Sequence, residues 1–437
     1  MDSLKINRAL SMGEISAPGI LPRLEDLERS SFIFRIDFGL GTLPTEPGLI
    51  LVRGPRQYGK STWLQHQIRD TVLEFGPGSA YFLNGDEIRD TAILTGAIRD
   101  LLPLYNPDVT VKRLFIDEIT AINGWERGLK LLIDGGELRD VLVVTTGSKA
   151  TDLRRGSERL PGRRGKLART VYLFTPVSYA EFTRVCGDKL EAKCLPSYIL
   201  SGGSPIACAE LASQGRIPEY VIELTRDWIY GEIAASGRDR SSLLGVMECL
   251  HRFAGSPLGQ AKLAREAGLA NNTIAAGYIN ILMDLMCVAT AHAWDESMKR
   301  RKRRRPAKFH MVNLLAAIAW HPRRIRTTED LLGLPESEQG VLIEWVVAQE
   351  FWRRAASRGD EMPELMHFWQ GGGHEIDFVV DDEFFVEVKR GRVTPVEFSW
   401  FPKTFPARDL TVIGQSKFKA RHMRSVTLEE FLLEPKG

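Results

Sequence analysis

Over its first half the chain alternates short apolar runs with amphipathic stretches. Gly48-Leu49-Ile50-Leu51-Val52 reads as a buried strand, and Ser61 to Glu74 continues with Trp63, Leu64, Ile68, Val72 and Leu73 at helical spacing. The pattern then repeats: a strand at Ala80-Tyr81-Phe82-Leu83, a helix from Ile88 to Leu102, a strand at Arg113 to Glu118, and a helix from Trp125 to Leu138. Strands at Val141 to Thr146 and Thr170 to Phe174 complete the set. Apolar strands alternating with helices predict an α/β fold, a parallel sheet covered on both faces, with ligands collecting at the carboxyl ends of the strands. Residues 1–45 form an N-terminal arm that mixes charge with Pro18, Pro22 and Pro44 and offers one strand candidate, Phe32 to Ile36.

The second half changes character. Residues 186–235 read as a helical segment, and 236–320 as a winged-helix domain. In the latter, helices over Leu243 to Phe253, Leu258 to Ala267 and Asn272 to Met286 precede a two-stranded wing, Val288 to Trp294 with Lys308 to Val312. Residues 321–437 contain a β-hairpin, His374 to Val380 and Phe384 to Lys389 around Asp381-Asp382-Glu383. Pairing Val380 with Phe384 sets Asp377 opposite Glu387 and Glu375 opposite Lys389. The same register gathers Ile376, Phe378, Val380, Phe384, Val386 and Val388 on one buried face.

Onto this frame the sequence places its chemistry. Gly54-Pro55-Arg56-Gln57-Tyr58-Gly59-Lys60-Ser61-Thr62 satisfies G-x-x-x-x-G-K-[ST] at every fixed position, between a strand and a helix. Its glycines let backbone N–H groups face phosphate oxygens, Lys60 reaches the terminal phosphates, and the Ser61 hydroxyl can ligate Mg²⁺. The loop therefore predicts a P-loop domain over 46–185 that holds a nucleotide's phosphates and Mg²⁺. Asp117 and Glu118 end a strand expected to neighbour the loop; Asp117 would hold the metal through water and Glu118 would orient or deprotonate the attacking water. Ser148, after Thr145-Thr146-Gly147, is the expected γ-phosphate sensor. The basic stretch Arg154 to Arg169, broken by Pro161 and Gly162, offers guanidinium groups that could stabilise charge on a transferring phosphoryl.

These motifs, in this order, with Thr175-Pro176-Val177-Ser178-Tyr179-Ala180-Glu181-Phe182 and Gly202-Gly203-Ser204-Pro205, resemble the bacterial and archaeal AAA+-related ATPases that carry a C-terminal restriction-endonuclease-like domain. The resemblance covers about residues 45 to 400. It implies ATP binding and hydrolysis in an AAA+-type sheet, with Arg163 on the family's G-R motif. Sites of this type often take an arginine from a neighbouring copy, so a homo-oligomer is one expected arrangement and a monomer the other. Asn313 departs from the family, where an aspartate usually follows the wing.

The hairpin acids carry the second chemistry. Opposed carboxylates repel, and a Mg²⁺ ion between Asp377 and Glu387 would turn the repulsion into ligation, with Lys389 positioning a water for attack on a phosphodiester. This D-x9-E-x-K arrangement resembles the core of restriction-endonuclease-like nucleases, and Glu344 on the preceding helix takes the place of their additional acid. Without a metal, Glu375 and Lys389 would instead form an ion pair.

Composition adds bounds. With 437 residues the chain holds about three domains, and a net charge of +2 leaves nucleic-acid binding to local clusters. The one candidate is the wing run Lys299-Arg300-Arg301-Lys302-Arg303-Arg304-Arg305, with DNA favoured. Five scattered cysteines indicate neither disulfides nor zinc, and no run of about 18 apolar residues suggests a membrane span, so a cytoplasmic protein is expected. The leading expectation is an ATPase coupled to nucleic-acid binding and Mg²⁺-dependent endonuclease activity, in defence or mobile-element control. The alternative is an ATP-switched regulator or scaffold whose nuclease-like domain does not cut.

Overall fold

The computed structural model describes residues 2–148, 165–302, 304–360 and 366–434. The chain divides into two compact units, one of residues 1–33 and 37–175, the other of residues 34–36 and 176–437. Among the described residues no helix is long and apolar enough to cross a membrane. Cys186, Cys194, Cys208, Cys249 and Cys287 are all buried and free.

The first unit is built on five strands: β1 (Gly48–Arg53), β2 (Ala80–Asn84), β3 (Arg113–Asp117), β4 (Leu142–Gly147) and β5 (Val171–Leu173). They lie in the order β2-β3-β4-β1-β5, every pair parallel. Parallel neighbours require crossovers, supplied here by helices Lys60–Phe75, Thr91–Leu101 and Trp125–Asp134. Every residue of β2, β3 and β4 is buried, as a sheet covered on both faces demands. One core layer gathers Leu49, Tyr81, Leu114 and Ile116 from the strands with Leu94, Ile98, Leu129 and Leu132 from the helices.

The arm before the sheet is structured. Helices Ser3–Met12 and Pro22–Glu28 precede β1. The buried Asn7 amide exchanges two hydrogen bonds with the backbone of Phe82 on the edge strand β2, donating to its carbonyl at 2.8 Å and accepting from its N–H at 2.7 Å. An exposed edge of unpaired backbone invites association with another chain, and Asn7 closes part of it. The strand expected over Phe32 to Ile36 does not form; the segment is irregular.

In the second unit, helices Arg240–Arg252, Gln260–Glu266 and Asn272–Asp284 lead into β6 (Val288–Asp295), β7 (Arg300–Lys302) and β8 (Lys308–Met311). Strand β6 pairs antiparallel with β8 through its first half, Val288 with Met311 to Ala291 with Lys308. Its second half pairs with β7, Ala293 with Lys302 to Asp295 with Arg300. The basic run expected as a solvated tip is therefore partly strand. Arg300 and Lys302 are exposed, Lys302 lies 3.3 Å from Asp295, and Arg303 is outside the described residues.

Strand β6 also pairs in parallel with β9 (Met366–Gly371), through His292 with His367. The sheet continues through β10 (His374–Val380), β11 (Phe384–Val388), β12 (Leu410–Ile413), β13 (Lys419–Ala420) and β14 (Met423–Val426). Pairing of Val380 with Phe384 occurs as expected, and continues to Phe378 with Val386. Phe384, expected on the buried face, is 60% exposed, while Val379 and Phe385 on the opposite face are buried against Phe401, Phe405 and Leu410. Both faces of the hairpin are packed, so alternation alone does not sort them, and Phe384 sits beside the turn. Asn313 caps the helix Leu314–Ala319, its side-chain oxygen accepting from the Ala316 N–H at 3.1 Å.

Candidate functional site: a phosphate-binding loop and a lysine-centred acid cluster

The loop after β1 turns sharply because two glycines allow it. Gly59 has φ +99°, a conformation that costs a side-chain-bearing residue, and a Cβ on Gly54 would come within 2.6 Å of Phe174 Cβ. Gln57 adopts φ +62° without being glycine. Tyr58 is buried, while Arg56 and Gln57 are exposed. Pro55 contributes its carbonyl to the loop interior, and Lys60, at the start of the helix, folds back into it: Nζ donates to Gly54 O at 3.0 Å and Pro55 O at 2.8 Å. Burial lowers its pKa, with the charges of Glu118 and Asp117 opposing that shift.

The acids come from β3, which is not the neighbour of β1; β4 lies between them. Their reach is nonetheless sufficient. Ser61 Oγ donates to Asp117 Oδ1 at 3.2 Å, and Thr146 Oγ1 on β4 donates to the same oxygen. Asp117 is 4% exposed, and burial raises its pKa against those two hydrogen bonds. Glu118 lies just beyond the strand at φ +48°. Its backbone N–H donates to Thr146 Oγ1 at 3.2 Å, and its carboxylate accepts from the Ser148 backbone N–H at 3.0 Å. Thr146, which sequence reasoning passed over for Ser148, thus links both acids. Ser148 engages Glu118 through its main chain. Thr62 occupies the first turn of the helix, half-buried. Arg163 lies outside the described residues. Arg169, from the same basic stretch, stacks over the Tyr172 ring with its guanidinium carbon 4.2 Å from the centroid.

These residues suit a magnesium-bound nucleoside triphosphate. A buried ammonium is held on neutral carbonyls, and a buried carboxylate is held by two hydroxyls. An anion and a metal ion would respectively complement them.

Residues 46–183 match the AAA domain family. This segment is a AAA-type P-loop ATPase domain. Such AAA domains use ATP with Mg²⁺, and the match supports ATP hydrolysis. No curated protein matches the chain. Among solved structures the chain is similar to the Walker-type ATPase of Pyrococcus abyssi, at 12% identity over 69% of this chain and 94% of that one, with a TM-score of 0.43. It is also similar to Thermotoga maritima RuvB, at 17% identity over 55% and 81%, TM-score 0.31. A third is the Aeropyrum pernix ORC1 protein solved in complex with DNA, at 14% identity over 70% and 95%, TM-score 0.30.

The second unit, outside the AAA domain, gathers the hairpin acids around a residue not anticipated among them. Lys308, on β8, is 1% exposed, and its Nζ lies 3.4 Å from Asp377 Oδ1 and 3.8 Å from Glu344 Oε1 while also contacting Glu375. Burial pulls its pKa down, and the charges of Glu344, Asp377 and Glu375 more than reverse that, leaving it above its ordinary value. Glu344 comes from helix Glu336–Arg358 and Glu375 is also bonded by Gln370 Nε2 at 2.5 Å.

Glu387 and Asp377 do not face each other as bare carboxylates. Glu387 Oε2 accepts from the Asp377 N–H at 3.2 Å, and Asp377 Oδ2 accepts from the Val388 N–H at 2.9 Å. Glu387 Oε1 is bonded by Lys389 Nζ at 2.5 Å, so the expected Glu375–Lys389 pair is replaced by Lys389–Glu387 and Lys308–Glu375. A register shift in β10 between Ile376 and Val379 accompanies this exchange. Burial, then the charge of Asp377, raises Glu344 to about 8 and Glu387 to about 7. His310, two residues beyond Lys308, is 1% exposed and pushed down to about 3 by burial and the Lys308 charge.

Glu344, Asp377, Glu387 and Lys389 thus come together, but the arrangement does not fit a divalent ion. Among the described residues no group of three His, Cys, Asp or Glu side chains is disposed to hold a metal, and the ammonium of Lys308 lies among the acids. The local signal for Lys308 and His310 was their alternation on a strand whose four residues are all buried.

Proposed function

We propose that the chain is an ATPase whose nucleotide state governs nucleic-acid binding by its second unit. The observation that carries this reading is the 3.2 Å hydrogen bond from Ser61 to Asp117 beside the buried Lys60. In this reading the N–H groups of the loop Gly54 to Thr62 and the Lys60 ammonium hold the phosphates, and Ser61 and Asp117 hold Mg²⁺. Bound Mg²⁺ supplies charge neutralisation at the terminal phosphates. Glu118, tethered to the Ser148 N–H, orients the attacking water, and Arg163, from the same chain or a second copy, stabilises the developing charge.

The three helices from Arg240 to Asp284 with β6 and β8 act as a winged helix, and the exposed Arg300 and Lys302 contact phosphates, with DNA preferred. For the restriction-endonuclease-like part, the ammonium groups of Lys308 and Lys389 set among the four acids favour a module that holds nucleic acid without cutting it. Convergence of Glu344, Asp377, Glu387 and Lys389 supports the second reading, Mg²⁺-dependent cleavage, once a metal can enter. A role in defence or mobile-element control accords with either.

The test measures ATP hydrolysis and the anisotropy of labelled duplex DNA, with and without ATP, for the wild type, Lys60→Ala and Glu118→Gln. A second series replaces Arg300, Arg301 and Lys302 by alanine and titrates salt between about 50 and 200 mM, where phosphate contacts weaken steeply. Hydrolysis lost in Lys60→Ala, with DNA affinity dependent on nucleotide and on the basic strand, is expected. Absence of nucleotide affinity with magnesium supplied would end this reading, and nicking of DNA by the wild type would replace the non-cutting form with the second.

A further inference from the structure

We infer that Lys308 is the resident cation of the acid cluster in the second unit, and that the cluster takes a divalent metal only when the Lys308 ammonium is absent from it. The inference rests on the reading of this unit as a restriction-endonuclease-like module, and it concerns the control of that site.

Three features carry it. First, Lys308 is delivered by β8, whose ladder to β6 fixes it at Ala291, so the ammonium is placed by main-chain pairing and is not a wandering surface side chain. Second, a 1% exposed ammonium needs anionic partners, and Glu375 and Asp377 supply them from β10, with Glu344 Oε1 3.8 Å away on the long helix. A divalent ion and an ammonium cannot share that space, because like charges a few ångströms apart in a poorly solvated site repel strongly. Third, the cluster contains coordination capacity that the lysine leaves unused. His310 is 1% exposed with neither ring nitrogen hydrogen-bonded, and its Nδ1 lies 3.6 Å from Glu344 Oε1, an oxygen that also has no hydrogen-bond partner. The carboxylate oxygens now turned toward the ammonium are donors of the kind that suit Mn²⁺.

The groups facing Lys308 are therefore Glu344 from the long helix, Glu375 and Asp377 from β10, and His310 from its own strand. Removing the ammonium leaves Glu375 and Asp377 without that counter-charge. A metal ion is the species that replaces it.

The experiment uses the full chain and Mn²⁺ alone, without nucleotide, read by the electron paramagnetic resonance of free and bound ion. The wild type, Lys308→Met, Lys308→Arg and the double variant Lys308→Met with Asp377→Asn are compared, and thermal unfolding is recorded with and without Mn²⁺. Lys308→Met is expected to bind one more Mn²⁺ per chain than the wild type, to lose it again in the double variant, and to gain thermal stability on adding Mn²⁺. Lys308→Arg, which keeps the charge, should behave as the wild type. If the wild type binds Mn²⁺ through Asp377 as tightly as Lys308→Met does, the lysine is no barrier and the inference fails. If folded Lys308→Met gains no ion, the cluster is not a metal site in any state and the inference fails, while the non-cutting reading stands. Nucleic-acid affinity, measured separately, tests the proposed function whichever way the metal result turns.

Discussion

Ser61, on the helix that follows β1, and Asp117, at the end of β3, meet through a hydrogen bond of 3.2 Å although β4 lies between the two strands. Thr146, from that intervening strand, completes the contact by donating to the same carboxylate oxygen. The acid is thus set by hydroxyls from both sides before any ligand arrives, and preorganisation of this kind is what a metal-assisted phosphoryl transfer site requires.

Thr146→Val should lower the rate of ATP hydrolysis by about 10- to 100-fold, the usual loss when a group that orients a ligating residue is removed. Nucleotide affinity, read with a fluorescent ATP analogue, should fall much less, because Lys60 and the loop are untouched. Ser148→Ala should leave Glu118 in place, since the contact comes from the main-chain N–H. A large hydrolysis defect in Ser148→Ala with none in Thr146→Val would invert this assignment.

Asn7→Ala should destabilise the first unit by about 2 kcal/mol, the cost of leaving buried polar groups without partners. Both the N–H and the carbonyl of Phe82 lose their bonds. Thermal unfolding reads the loss, and light scattering should report more self-association as the edge of β2 opens.

Glu350→Ala should cost about 3 to 5 kcal/mol, because it strands buried charge. Glu350 is 1% exposed and bonds both Arg353, at 2.7 Å and 2.8 Å, and Arg354, at 2.6 Å. Chemical denaturation of the wild type against Glu350→Ala measures it, and a change below about 1 kcal/mol, the range of exposed pairs, would show that the triad is solvated in solution.

Stability of the second unit should fall as pH rises from 4.5 toward about 8. In that window an unfolded Glu344 has released its proton while the folded one retains it, so the folded state binds more protons and each rise in pH favours unfolding. Glu387, raised to about 7, adds to the same trend over the lower part of the range. Glu344→Gln should flatten the dependence; a wild-type midpoint that climbs between pH 5 and 8 would contradict it.

Sequence carried the parts of this picture that are local. The loop around Lys60 is readable because its chemistry needs fixed residues at fixed spacing, and the hairpin turn because Val380 and Phe384 are near in sequence. What it did not carry is lateral order. Nothing in the period of an apolar strand tells that β4 separates β1 from β3, and so Ser148 was preferred over Thr146, the residue that links the two acids. Asn7 and Lys308 were hidden for the same reason: each acts on backbone or acids 75 and 69 residues away. Arrangement in space decides what such residues do, and a single polar side chain in an apolar run looks the same whether it seals an edge or neutralises a cluster.

Strand β6 belongs to three ladders at once, holding β8 with one half and β7 and β9 with the other. A scissor cut anywhere between Met311 and Met366 would therefore tear the sheet along a seam, giving two fragments that each carry a raw hydrogen-bonding flank. Neither piece should be recoverable alone as a well-behaved monomer, whereas co-expressed halves should find each other again.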